Sequence, residues 1–516
     1  MTAQEKYTSY INPPKLRRRP TTVGGRSLVE EFDSDRGRVL DSAPFRRLGN
    51  KAQVFSLERN ASVRTRLTHS IEVAERARFI AQRIVKHSKF EEIASHDKEA
   101  VILLAQTACL LHDIGNPPFG HFGEKCISKW FSDKSDEILI ASKLDSSAII
   151  NEHSESNKKK IRRAGKLLLS SLEELSHFDG NPQGFRIATT LLADIDGDEY
   201  SLNLTKPQLA STIKYPNGHS DQGDAKKFGV FSTELHIKND IWSELKLDKK
   251  QRFPISYIME AADDIAYCFS DIEDGIEKRV ISSEHFATEI YKQIVSVEDS
   301  DDLEMGKKLN RLKKTLINIS SAEGEKYFEP LRTFRSSLLD ILIQQAAHEY
   351  IENHDAILNG KYENGKALLD GPSIANTLLG VIKKYARSNL YSSAVVRNNE
   401  ITAHNVIYTL LDIHYKLIVL SAEEFNGVLT VNADAVNDLK LSIEFSLLGR
   451  FPKKYISAYK RSVYSIPNDL SSMEKSALEL RYRLHLIVDY ISGMTDEYAY
   501  RMAQFINGSQ TNLGLF

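Results

Sequence analysis

The sequence predicts an all-α protein, and three observations carry that prediction. Only 14 prolines in 516 residues leave few helix breakers. Apolar residues recur at three- and four-residue steps along most of the chain. Strands alternating with helices in a βαβ rhythm are not visible, and no fixed-period repeat stands out.

Taken in order, residues 1–27 read as a polar arm ending in the basic run Lys15–Leu16–Arg17–Arg18–Arg19. From Leu28 to about Ile84 the spacing is mostly helical, with Ala52–Leu57 and Asn60–Ala61–Ser62 marking a loop between two helices. Leu67, Ile71, Ala74, Ala77 and Ala81 then place His69 early on an amphipathic helix. Ala100 to Leu111 is apolar almost all round, as a buried helix requires. It stops at Ile114–Gly115–Asn116–Pro117–Pro118, where glycine and two prolines cannot continue it. Lys158–Lys160, Asp221–Lys227 and Glu298–Lys308 read as loops or exposed helix faces. Residues 254–279 form another helix, with Pro254 suited to its first turn. Helical periodicity resumes from Leu331 and closes on Leu484, Ile487, Tyr490 and Ile491. The division that follows is an arm at 1–27, a core at 28–290 and a helical C-terminal region at 291–516.

Composition excludes several classes. A net charge of −2 argues against a protein coated in basic charge, so polyphosphate or nucleic acid must be met by a local cluster. Cys109, Cys126 and Cys268 are widely spaced without a CxxC, which fits reduced cytoplasmic thiols. The first twenty residues lack the apolar core of a signal peptide. The richest apolar stretch, Val101 to Leu111, is too short to span a bilayer. The expectation is a cytoplasmic protein with no membrane partner.

The chemistry centres on His69, His112–Asp113 and the acidic pair Asp263–Asp264. Imidazole and carboxylate suit a divalent metal. Read singly, a histidine such as His112 is more often a core residue than a ligand, and only the combination points to metal. On the 254–279 helix, Ile255, Ile258, Met259, Ala262, Ile265, Ala266, Phe269 and Ile272 make one face at about 100° per residue. Asp263 flanks that face, whereas Asp264 points nearly opposite its centre. Asp263, Tyr267 and Asp271 form one stripe at i, i+4 and i+8. A solvated acidic edge is the alternative. His121 and Glu124 pair a general acid with an orienting carboxylate, or make a surface pair. Arg46–Arg47 and Arg64–Arg66 offer guanidinium forks for phosphate, with Arg66 sharing a face with His69. Solvated arginines are the alternative there.

These residues sit in longer words: Arg64–Thr65–Arg66–Leu67–Thr68–His69–Ser70, then Leu111–His112–Asp113–Ile114–Gly115–Asn116–Pro117–Pro118–Phe119–Gly120–His121–Phe122–Gly123–Glu124, and Glu260–Ala261–Ala262–Asp263–Asp264–Ile265–Ala266–Tyr267. With residues 32–38 and 489–496, they make the chain resemble the deoxyguanosinetriphosphate triphosphohydrolases, the bacterial dGTPases of the HD superfamily. The matching words span roughly residues 30–500, and the length resembles the enterobacterial type. The resemblance implies an HD-type helical core with helical insertions, and a C-terminal region completing the nucleotide pocket and oligomer contacts. It implies one divalent metal, Mg²⁺ or Mn²⁺, on His69, His112, Asp113 and Asp263. It implies that His121, supported by Glu124, acts at the scissile phosphate, and that Arg66 and Lys214 bind the triphosphate. Gln53, Tyr215, Tyr267 and Asp271 would line the sugar and nearby phosphate. Gln53 and Asp271 face the 3′-hydroxyl in this reading, Tyr267 crowds the 2′ position, and Glu400 meets the base.

The expected reaction is hydrolysis of dGTP to deoxyguanosine and inorganic triphosphate. Alternatives are a broad-specificity dNTP triphosphohydrolase, another HD-type nucleotide phosphohydrolase, or a non-catalytic nucleotide-sensing or DNA-binding scaffold. The resemblance also implies a homo-oligomer, a hexamer. Single-stranded DNA contact through Lys15–Arg19 stands as the alternative to a solvated tail.

Overall fold

The computed structural model describes residues 3–20, 22–58, 60–91, 95–144, 148, 152, 154–193, 200–219, 227–295, 297, 303–363, 365–430 and 441–510. Among these residues every named element is a helix, and the strand-like pairings are two isolated bridges, Arg17–Thr205 and Ala52–Thr65. No helix among them is long and apolar enough to cross a membrane. Residues 221–226 and 298–302, within two of the expected polar stretches, lie outside the described residues.

Two compact units interleave along the chain. One comprises residues 1–114, 203–218 and 233–400, and the other 115–202, 219–232 and 401–516. The divisions expected after residues 27 and 290 coincide with neither, because helix packing groups segments that are remote in sequence.

The first unit is centred on three helices, Arg66–Val85, Ser95–Leu111 and Pro254–Glu277, each packed on the other two. The first buries Val73, Ala77, Ile80, Ala81 and Ile84 on one stripe. The second contributes Ala100, Leu104, Ala105, Ala108 and Cys109, all fully buried. Each large aliphatic side chain so buried contributes about 1.5–3 kcal/mol against conformational entropy. The third helix begins on Pro254, as its ring predicts. It ends at Glu277, slightly before the expected 279, because Arg279 adopts a left-handed φ of 56°.

The segment expected to be a polar arm belongs to this unit instead. Ala3–Ile11 is helical, with Tyr7, Tyr10 and Ile11 buried. Arg17, at the centre of the basic run, pairs at 2.6 Å with Glu31 and at 2.5 Å with Asp35. Its guanidinium is nearly inaccessible. The segment's polar composition hid an aromatic docking face and a buried ion pair.

In the second unit, Ser472–Ser492 packs on Glu155–Leu175, which also carries Gly120–Ala141. Ile161, Ala164, Leu168, Leu172 and Leu175 form the buried stripe of Glu155–Leu175, leaving Lys159 and Lys160 on its exposed face. A turn at Gly115–Asn116 approaches Gly180 so closely that only glycines fit. A Cβ on Gly115 would lie 2.1 Å from the Gly180 carbonyl oxygen, and one on Gly180 would lie 2.0 Å from Asn116 Oδ1.

Candidate metal centre and active site

The Arg66–Val85 helix starts on a capping box, in which Thr65 and Thr68 satisfy each other's backbone N–H groups. His69 follows one turn later, 1% exposed, with its amide donating to the Thr65 carbonyl at 3.0 Å. The same start fixes Gln53, because Arg66 N–H donates to the Lys51 carbonyl at 3.0 Å and Ala52 bridges Thr65.

His112 and Asp113 lie in the turn just beyond Leu111. His112 Nδ1 donates to the Cys109 carbonyl at 2.6 Å, which leaves Nε2 as the lone-pair nitrogen. That nitrogen lies 3.5 Å from both Asp113 Oδ1 and Asp263 Oδ1. Asp263 Oδ1 is also 3.2 Å from His69 Nε2. One ligand atom from each of His69, His112 and Asp263 falls within 4.8 Å of the others. Asp264, on the other side of the helix, pairs with Lys383 at 3.0 Å.

Does a cation fit here? An imidazole nitrogen and two carboxylates converging in one place create a negative potential that positive charge between them neutralises. Among the described residues, His112 Nε2 is buried without a hydrogen-bond partner. Ligands about 2.0–2.2 Å from one ion lie roughly 3.0–3.6 Å apart, as Asp263 Oδ1 does from His69 Nε2 and His112 Nε2. The electrostatics agree. Burial pulls the His112 pKa down, but Asp113 and Asp263 outweigh it and push it up to about 9. Burial raises Asp263, yet His112 and His69 hold it well below the carboxylate range. Asp113 falls to about 2, as His112 and Arg66 overcome its burial. The donor set fits a divalent metal, with three expected ligands in one cluster. Asp113 borders it through Oδ1, while its Oδ2 accepts from Arg66 at 2.7 Å.

The expected substrate residues all lie in the first unit. Lys214 pairs with Glu260 at 3.3 Å and lies 5.9 Å from the Tyr215 ring centroid. Arg252 holds the other Glu260 oxygen at 2.6 Å. Gln53 has a buried side-chain oxygen without a hydrogen-bond partner. Asp271 is fully buried and accepts a 2.6 Å hydrogen bond from Tyr391, whose ring stacks on Tyr267 at 6.3 Å. Glu400 is exposed on the Ala394–Ile418 helix. Arg64 is engaged by Glu72 at 3.1 Å, Glu273 at 2.6 Å and Asp274 at 2.7 Å. It serves the fold rather than a phosphate. Arg46 and Arg47 each donate to a nearby backbone carbonyl, of Asp41 and Ala43.

His121 and Glu124 belong to the second unit. His121 Nδ1 donates to Glu124 Oε2 at 2.7 Å, and Glu124 Oε1 accepts from Gly180 N–H at 2.9 Å. The carboxylate is thus fixed by backbone while it orients the imidazole, whose side chain is 69% exposed. Their helix starts after Phe119, a non-glycine residue at φ 63°, where an L side chain costs about 1 kcal/mol. Asp496 offsets that strain by accepting Phe119 N–H at 3.0 Å. Asp489 accepts from both Arg186 and Gln183 at 2.9 Å. The word at 489–496 therefore supplies carboxylates that brace this unit.

Sequence reasoning missed Tyr391, Arg252 and Gly180. Glu260 and Asp496 stood in quoted words, but nothing in their spacing named a partner.

The HD domain profile matches residues 66–182. The deoxyguanosinetriphosphate triphosphohydrolase of Salmonella enteritidis PT4 is 36% identical over 494 residues, covering 92% of each chain. That of Yersinia enterocolitica is 35% identical over 492 residues, covering 92% of this chain and 93% of the relative. With conserved length and the cluster above, this chain belongs to the deoxyguanosinetriphosphate triphosphohydrolase family.

Proposed function

We propose that this chain hydrolyses dGTP to deoxyguanosine and inorganic triphosphate. One observation carries the reading: a His69–His112–Asp263 cluster, with His69 buried and the other two partly so, in a chain whose relatives are named for this reaction over 92% of its length. His69, His112, Asp113 and Asp263 would hold one divalent cation, which when bound supplies Lewis-acid withdrawal of charge from the α-phosphate. Mg²⁺ and Mn²⁺ are the proposed ions, and two imidazoles favour manganese of the pair.

Arg66 and Lys214 neutralise the triphosphate. Gln53 and Asp271 accept or donate hydrogen bonds at the 3′-hydroxyl, Tyr267 fills the space a 2′-hydroxyl would need, and Tyr215 lines the nearby phosphate. Glu400 is assigned to the base. Water adds to the α-phosphorus, the bond to the 5′-oxygen breaks, and that oxygen takes a proton. His121, oriented by Glu124, is the proposed donor. The protein is further proposed to be a cytoplasmic homo-oligomer, a hexamer. Of the run Lys15–Arg19, the alternative site for single-stranded DNA, Arg17 is committed to Glu31 and Asp35.

The test is to incubate the protein with each dNTP and Mg²⁺ or Mn²⁺ and identify the products. Deoxyguanosine and intact triphosphate, formed fastest from dGTP, are expected. Equal rates with all four dNTPs would favour the broad-specificity alternative. No turnover of any dNTP with either metal would sink the proposal.

A further inference from the structure

Tyr391 lies outside every motif in the sequence, yet its hydroxyl reaches the most buried acid of the sugar-side stripe. The Ile374–Tyr385 helix widens into a π-turn over Ala386–Leu390. Tyr391 N–H then bonds back to the Ala386 carbonyl at 3.0 Å, five residues earlier. Such widened turns change which way the next side chain faces, and they recur at functional sites. Here the turn seats Leu390 against Gly275, where an added Cβ would come within 2.8 Å of Leu390 Cδ1. It also lays the Tyr391 ring on Tyr267, with planes 27° apart.

The hydrogen bond between Tyr391 and Asp271 runs one way. Tyr391 has a single hydroxyl proton, and the carboxylate of Asp271, 2.6 Å away, is its acceptor. Asp271 Oδ2 is thereby occupied, whereas among the described residues Oδ1 has only Ser270 Oγ at 3.4 Å. A carboxylate anchored through one oxygen presents the other in a fixed direction.

We propose that Tyr391 is a positioning residue that locks Asp271 so that its second oxygen meets the sugar 3′-hydroxyl. This rests on the reading of Asp271 given above. Tyr391 would set discrimination between a nucleotide with a 3′-hydroxyl and one without, through Asp271 and without touching the scissile bond.

The test compares dGTP with 2′,3′-dideoxyGTP for the wild-type enzyme, Tyr391→Phe, Asp271→Asn and the double variant. Phenylalanine keeps the ring and removes only the hydroxyl. In Tyr391→Phe, kcat/KM for dGTP should fall about tenfold, in line with one charge-assisted hydrogen bond. The value for dideoxyGTP should move less than about twofold on the same scale. In the Asp271→Asn background, the Tyr391 change should add nothing. An equal loss with both substrates would mark a merely structural role and overturn the proposal, as would an unchanged preference. A wild-type enzyme that turns over dGTP yet shows no preference for it over dideoxyGTP would refute the Asp271 reading itself.

Discussion

His112 and His121 stand nine residues apart, and their surroundings could hardly differ more. The His112 side chain is 7% exposed, with one nitrogen fixed by a backbone carbonyl and the other faced by two carboxylates. The His121 side chain is 69% exposed, with one nitrogen fixed by a carboxylate three residues on. Burial among anions suits a nitrogen that must hold a cation without moving. Exposure beside a single braced carboxylate suits a nitrogen that must gain and lose a proton. In the proposed assignment, the same residue type is turned to different chemistry by what surrounds it.

The sharpest way to break this contrast is to remove each histidine and measure both metal content and turnover. His112→Ala leaves Asp263 and His69 without their third partner, and metal binding should fall below detection. Turnover of dGTP should drop by more than about a thousandfold, since charge neutralisation at the phosphate is lost. Retained metal with full activity would show that the cluster is structural.

His121→Ala should do the reverse. Metal content stays at the wild-type level, while kcat falls by about 10²–10⁴, the range expected for a general acid. Glu124→Gln should cost less, about tenfold, because the amide keeps the contact with Gly180 N–H but no longer accepts charge-assisted bonding from His121. Wild-type turnover in His121→Ala would remove this residue from the reaction.

The contrast also governs what the sequence could disclose. Periodicity along residues 254–277 distinguished Asp263 from Asp264, because a helix face is a local property of spacing. The His121–Glu124 pair was likewise legible, being three residues apart on one helix. The long-range partners were not. Asp496 meets Phe119 across 377 positions, and Tyr391 meets Asp271 across 120. No local pattern encodes such pairings, which depend on how helices pack. The basic run at Arg17 misled for the same reason: charge in a sequence reads as solvated until Glu31 and Asp35 close over it. Arg64 and Arg66 show the limit most finely. They are two residues apart in one word, yet Arg64 is consumed by Glu72, Glu273 and Asp274, while Arg66 pairs with Asp113 beside the metal cluster.

A gentler test uses pH, on a carboxylate that belongs to neither histidine's immediate surroundings. Burial pushes Asp271 up to about 6, against the lowering effect of the Tyr391 hydroxyl and of His69. Its ionised fraction should fall about tenfold between pH 7 and pH 5, taking with it the anionic acceptor assigned to the 3′-hydroxyl. The preference for dGTP over 2′,3′-dideoxyGTP should therefore shrink as the solution is acidified, by up to about tenfold. Any titration of His121 acts on both substrates and cancels in the ratio. Unfolding cannot mimic the effect through this group. Its folded pKa, about 6, lies above the ordinary 3.8, so the folded chain takes up the proton first. Asp271 then adds stability as pH falls from about 6 towards 4 and removes none. In Asp271→Asn the ratio should be low and independent of pH, and a ratio that still follows pH in that variant would assign the titration to another group.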